Sequence, residues 1–198
     1  GIQLQSVPVA VSKPDLTVIT KLADVRGSDD KGQPIHLNES FTIEGVVTFE
    51  NGVLGFQKSN FYLQDDTGGI NVFGSALDHK LSIERGDKLR VSGKVIYYNG
   101  LTEFEPTSIK KVLAQQELPK PKELTILDMT TYAIAEPLEG SLAKVSGKVS
   151  AVAASGSNTN VTIVDENNKS TLVRVMEKTN IDIEKDIVVH LDALQGVE

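Results

Sequence analysis

The sequence contains no cysteine. That absence removes disulfides, thiolate nucleophiles and cysteine metal sites together, and it suits a bacterial surface or secreted protein as readily as a cytosolic one. No segment approaches the roughly 18 consecutive apolar residues that a membrane-spanning helix needs, so no membrane insertion is expected. The first 16 residues, GIQLQSVPVAVSKPDL, lack the basic and apolar regions of a signal peptide, so any export signal is expected to lie outside this chain. Positive charge is scarce as well. A net charge of −7 and an isoelectric point near 5.1 contrast with the basic patches of strong nonspecific nucleic-acid binders, which confines any such contact to a local or weak one. Catalytic signatures are missing too. His36, His79 and His190 stand in separate segments without acidic partners at ligand spacing, and neither Gly-x-Ser-x-Gly nor a phosphate-binding Gly-x4-Gly-Lys-Ser/Thr occurs. Neither a catalytic residue, nor a metal site, nor a cofactor is expected.

What is present is an ordinary globular composition, 39% hydrophobic and 24% charged over 198 residues, enough for one large or two small domains. The stretch FYLQDDTGGINVFG, residues 61–74, sets the pattern. Phe61 and Leu63 alternate with Tyr62 and Gln64, and Ile70 and Val72 with Asn71 and Phe73, the period of a half-buried strand. Asp65-Asp66-Thr67-Gly68-Gly69 between them is turn chemistry, because Asp bonds its own backbone and Gly accepts positive φ. The competing reading of the two carboxylates is a metal or acid/base pair.

Five alternating segments, FTIEGVVTF, NFYLQDD, GINVFGS, DKLRVSGKVIYY and LTEFEPTSIKKV, follow one another from Phe41, with ALDHKLSIERG inserted after the third as room for a turn of helix. That layout is the five-stranded OB-fold, an all-β Greek-key barrel. The rhythm then repeats. SLAKVSGKVSAV matches the first strand, NVTIVDENNKSTLVRV matches the hairpin with its acidic turn in place, and IDIEKDIVVHL echoes LSIERGDKLRV. Two copies near a period of 100 residues predict two tandem five-stranded OB-fold-like barrels, the second truncated or degenerate. The expected division is an N-terminal extension 1–16, a first domain 17–118, a linker 119–125 around Pro119 and Pro121, and a second domain 126–198 without its fifth strand. ELTILDMTTYAIA is expected as a short helix capping the second barrel, and TVITKLADVRG is its counterpart before the first.

With these segments in place, IEGVVTFENG, FYLQDDTGGINVFG and IERGDKLRVSGKVIYYNGLTEF resemble the OB-fold domains of bacterial extracellular nucleases and related multidomain surface enzymes. In that family such domains stand beside endonuclease/exonuclease/phosphatase or 5'-nucleotidase catalytic domains. The resemblance implies a non-catalytic module of a larger secreted or surface hydrolase, with the catalytic domain of the same polypeptide as a partner. The second copy departs from the pattern, with DENNK for DDTGG and no glycine in IEKDIVVHL.

OB-folds bind ligands on the outer face of strands two and three and on the flanking loops. Alternation puts Tyr62, Gln64, Asn71 and Phe73 on that face, the first loop adds Phe56 and Lys58, and the later strands and loop add Arg90, Lys94, Tyr97 and Tyr98. Aromatic rings beside cations suit single-stranded nucleic acid, held weakly. Two other readings compete: a spacer or interaction module whose aromatic face packs on a catalytic domain, and an oligosaccharide-binding barrel. Of the ten Phe and Tyr residues only Tyr132 lies beyond the first copy, so binding is expected there.

Overall fold

The computed structural model of the chain describes residues 17–51, 58–75 and 81–177. A two-residue strand β1 (Ile19–Thr20) and a single helical turn α1 (Leu22–Val25) lead into β2 (Ser40–Phe49), β3 (Ser59–Gln64), β4 (Gly69–Gly74), β5 (Lys88–Tyr98) and β6 (Leu101–Leu113). The hydrogen-bonded order β2-β3-β4-β6-β5 closes on itself because β5 also pairs with β2, from Ser40–Lys94 to Val46–Lys88. All neighbours are antiparallel except β4 and β6. This closed ring is the OB-fold topology anticipated from the strand pattern. The insert between β4 and β5 carries no helix over its described part, residues 81–86, and its residues 76–80 lie outside the described ones.

The ring closes around Ile43, Val47, Phe61, Leu63, Ile70, Val72, Leu89, Val91, Val95 and Phe104, all buried. The alternation read from the sequence therefore assigns the inner side correctly. One end of the ring is stoppered by α1, whose Leu22 and Val25 join the same core. Four residues are too few for an autonomous helix, and the Asp65 turn supplies what holds it. Asp65 Oδ2 accepts from the Leu22 backbone N–H at 3.1 Å, and Thr67 Oγ1 accepts from Ala23 N–H at 3.1 Å.

The second unit repeats this plan. Strand β7 (Lys122–Leu124) runs parallel to β8 (Ala143–Val145), as β1 runs parallel to the start of β2. A helical turn α2 (Ile126–Met129) follows β7 as α1 follows β1, burying Ile126 and Met129 where α1 buries Leu22 and Val25. Thr125 caps α2 in a capping box with Asp128. A further turn α3 (Tyr132–Ala135) runs into a 3₁₀ turn, Glu136–Leu138, so ELTILDMTTYAIA divides into a strand and two helical turns. Strand β9 (Lys148–Ser155), β10 (Asn158–Val164) and β11 (Ser170–Val175) form an antiparallel sheet. Val145, Val161, Ile163, Val173 and Val175 pack with Ile126 and Met129 in a separate core. Residues 178–198, where IDIEKDIVVHL and the expected end of the second barrel fall, lie outside the described residues.

The two units touch closely. The Arg26 guanidinium, just past α1, meets the Glu139 carboxylate at 3.1 Å with both side chains buried, and also donates to the Glu136 and Pro137 carbonyl oxygens. Beside it Gly69 lies against Gly140, where a Cβ on Gly69 would fall 2.1 Å from the Gly140 carbonyl oxygen. No other residue fits that approach. Removing the guanidinium by Arg26→Ala strands a buried carboxylate, which costs about 3–5 kcal/mol. Denaturant titration should show that loss, and both Arg26→Ala and a side chain at Gly69 should loosen the contact between units, read as protease cleavage between residues 113 and 122.

Candidate nucleic-acid interface

On the outer side of β3 and β4 the side chains fall into three rows, fixed by the antiparallel register Asn60–Phe73, Tyr62–Asn71 and Gln64–Gly69. The parallel pairing Asn71–Glu103 and Val72–Phe104 carries the rows onto β6, and Glu103–Ile96 and Glu105–Lys94 carry them onto β5. The row containing Gln64 is covered by the second unit, because Gln64 Oε1 accepts from the Leu142 backbone N–H at 2.8 Å. Hence this end of the face is closed to a ligand.

The middle row is buried, contrary to the open face that alternation suggests. Tyr62 is only 5% exposed and meets Phe49 edge-to-face, with ring centroids 6.3 Å apart, across the β2 bulge that brings the two opposite each other. Asn71 is 3% exposed and its Nδ2 donates to Asn60 Oδ1 at 3.0 Å and to the Phe61 carbonyl at 3.4 Å. Period two reports the side of the sheet on which a residue lies, not what covers it. Beside Asn71 stands a carboxyl that sequence reasoning passed over: Glu103 is buried, and that burial pushes it up to about 7. No cation pairs with it among the described residues. LTEFEPTSIKKV does place Glu103 on the side opposite Phe104, and that alternation was the available signal.

The outermost row remains accessible. Phe73 is half-buried, and the Lys58 ammonium sits 5.1 Å from its ring centroid, within cation–π range. Lys94 pairs with Glu105 at 3.0 Å, both half-exposed. Arg90 does not join this face. Its guanidinium holds Glu44 on β2 through Nε and Nη2, at 3.0 and 2.9 Å, and Lys88 holds the same carboxylate at 2.8 Å. Both cations, Lys88 first, keep the Glu44 carboxyl below its usual range. Tyr97 and Tyr98 point to opposite sides of β5, Tyr97 opposite Thr102 and Tyr98 opposite Leu101, and only the strongly exposed Tyr98 shares the outer side. Phe56 lies outside the described residues.

The acidic turn is structural. Asp65 Oδ1 accepts from Thr67 N–H, Thr67 Oγ1 and Gly68 N–H, while Asp66 pairs with exposed Lys21. Asp165 Oδ1 accepts likewise from Asn167 and Lys169 N–H in the second unit. That turn closes one residue later, on Lys169 rather than at the position of Gly68, so the counterpart of Phe73 is Arg174. No cluster of three or more metal-ligating side chains occurs among the described residues, and no helix among them is long and apolar enough to cross a membrane.

No family model matches the chain. A 154-residue stretch is 36% identical to endonuclease YhcR of Bacillus subtilis (strain 168), covering 76% of this chain and 13% of that protein. The resemblance to bacterial nucleases is thereby met, and the chain spans about an eighth of that relative's length. Among solved structures, the second OB-fold domain of replication protein A from Methanococcus maripaludis is 22% identical over 46% of this chain and 100% of that one, with a TM-score of 0.34. A replication protein A heterotrimer bound to ssDNA is 20% identical over 41% of this chain and 62% of that one, with a TM-score of 0.33. The fold assignment itself rests on the strand order.

Two substitutions separate turn from site. Asp65→Asn keeps one oxygen for the turn but sets an amide against Leu22 N–H, and an unsatisfied donor costs about 1–3 kcal/mol. Asp66→Asn should leave the melting temperature unchanged, since its pair is exposed. A large loss from Asp66→Asn alone would restore a functional role for the pair. For Glu103, a folded carboxyl raised above its unfolded value keeps its proton while the unfolded chain loses one, so stability falls as pH rises from the unfolded value near 4.5 through about 7. Glu103→Gln should therefore raise the melting temperature at pH 8 and change it little at pH 4, by calorimetry across that range.

Proposed function

We propose that the chain is a non-catalytic tandem OB-fold module of a bacterial nuclease-type enzyme, and that its first barrel holds single-stranded nucleic acid weakly at the Phe73 end of the β3–β4 face. The observation that carries this reading is Lys58 poised over a half-exposed Phe73 ring. A base stacks on the ring face and a phosphate sits by the ammonium, the pairing that sequence-tolerant single-strand binding uses. Similarity to an endonuclease over most of this chain supports the nuclease setting. The catalytic domain would lie elsewhere in a longer secreted or surface polypeptide, and this chain would deliver or orient its substrate.

A second reading has its own observation. Gln64 is engaged by the second unit and Tyr62 and Asn71 are buried, so much of the face is packing surface. On that reading the chain is a spacer that docks on the catalytic domain, and an oligosaccharide site would likewise have to use the Phe73 row. Fluorescence titration with a dT oligonucleotide at low salt discriminates. Phe73→Ala should weaken binding by about 1–3 kcal/mol, the value of one stacked base. Tyr62→Ala should lower stability rather than act at the ligand. Parental affinity in Phe73→Ala, or no binding by the parent, removes the nucleic-acid reading, and DNA cleavage that persists through purification with magnesium removes the non-catalytic one.

A further inference from the structure

Three carboxyl side chains are buried among the described residues, those of Asp87, Glu103 and Glu139. Asp87 has the Lys111 ammonium at 2.7 Å and the Glu84 backbone N–H at 2.9 Å, and Glu139 has the Arg26 guanidinium at 3.1 Å. Glu103 differs from both. Among the described residues neither a cation nor a hydrogen-bond donor meets its carboxyl, and burial alone displaces it from its usual range. A folded chain seldom leaves a buried polar group unmatched. Glu103 stands on the ligand side of the ring, since its neighbour Phe104 faces the core, so a partner has to come from that side.

The surroundings define what that partner must offer. Glu103 lies between Asn71 on β4 and Ile96 on β5, one row from Phe73. Two residues of strand rise and one strand spacing set its Cα about 8 Å from that of Phe73, so a base stacked on the ring brings an edge over the carboxyl. Asn71 is oriented by Phe61, whose carbonyl oxygen only accepts. Its Nδ2 therefore faces that oxygen at 3.4 Å and Asn60 Oδ1 at 3.0 Å, which uses both of its N–H groups. Once Glu103 is ionised, the floor beside Phe73 presents acceptors alone, Asn71 Oδ1 and the carboxylate. The charged and titratable groups around it on the outer side are Lys94 and Tyr98 on β5, Glu105 on β6, Tyr62 on β3 and Lys58 just before it, while β2 sends Phe49 and the second unit the uncharged Leu142. Lys94 and Glu105 pair with each other, Lys58 lies over Phe73, and none of these groups shifts Glu103.

We propose that Glu103 selects the base held at Phe73, and that the base it selects is guanine. The inference rests on the single-strand reading above. Bases of a single strand are read at their Watson–Crick edges, and the guanine edge carries two adjacent N–H donors, N1–H and N2–H, which a carboxylate accepts side by side. Adenine and cytosine bring one exocyclic N–H beside a ring acceptor, and thymine brings one N–H between two carbonyl oxygens, so each sets an acceptor against the carboxylate. A neutral carboxyl, with one donor and one acceptor, matches an edge of every base and selects none. Selection therefore appears with ionisation, as pH rises through about 7. Bound guanine draws the proton off, because its donors favour the charged form.

Inosine, which is guanine without the N2 amino group, makes the test direct. Fluorescence anisotropy compares a labelled oligonucleotide of alternating thymine and guanine with its thymine and inosine counterpart, in low lithium chloride at pH 8 and pH 5. At pH 8 the guanine strand should bind about tenfold more tightly, the worth of one hydrogen bond to a charged group, and at pH 5 the two should agree within about twofold. Glu103→Gln, whose amide imitates the neutral carboxyl, should bind both strands and show no preference at pH 8. A preference that survives in Glu103→Gln, or equal or reversed affinities for the parent at pH 8, overturns guanine selection while strand binding at Phe73 stands. Absence of binding by the parent to both strands removes the single-strand reading, and this inference with it.

Discussion

The contact between the two units is built around one buried ion pair. Arg26 and Glu139 are almost fully removed from water, which is expensive for both charges and tolerable only because each finds several partners. Arg26 has two backbone carbonyls besides the carboxylate, and the Glu139 carboxylate is held also by a hydrogen bond from the Thr102 backbone. Burial nevertheless pushes Glu139 up to about 7, with Arg26 pulling the other way. The pair joins the residue directly after the helical turn that stoppers the first ring to the residue directly after the 3₁₀ turn that leads into β8 of the second unit. The Gly69–Gly140 approach and the Gln64–Leu142 bond lie in the same contact between the units.

That junction sets what the ligand face can be. An isolated OB barrel offers three rows of outer side chains on its second and third strands; here one row is spent on the second unit, one is buried, and one is left. The remaining row is short, a ring, a cation and an ion pair, enough for one or two nucleotides at the spacing of stacked bases. On the proposed reading, the contact between the units limits the site size, and the length of strand it could engage, more than the aromatic content of the chain suggests.

Much of this was legible in the sequence, and the part that was not has identifiable causes. Period-two alternation assigned Phe61, Leu63, Ile70 and Val72 to the core because side chains must alternate about a pleated strand. The Asp65 turn was readable because its chemistry is local, while its second task, holding Leu22, joins residues 43 apart and leaves no local trace. Tyr62 and Asn71 looked available for the same reason: what covers an outward residue is a tertiary fact. Arg90 looked like a phosphate ligand until cross-strand register set it against Glu44. The extra residue in the second acidic turn shifted one strand against its counterpart, and only hydrogen bonding shows where such a turn closes.

Charge then decides what kind of binding the surviving row supports. Lys88, Arg90, Lys94 and Lys111 are each engaged by a carboxylate of the barrel, so a phosphate recruits them only by displacing an acid already in place. Lys58 is held by a ring instead, and a ring does not neutralise it. Each neutralised phosphate contributes about −0.7 to the logarithmic salt slope on a single strand, so a site with one such cation gains little from counterion release. Its free energy must come from stacking, which salt barely touches, and the net charge of −7 keeps long-range attraction low. On the proposed reading, a module built this way would hold a strand only after something else had brought it close, the property required of a domain tethered beside a catalytic one.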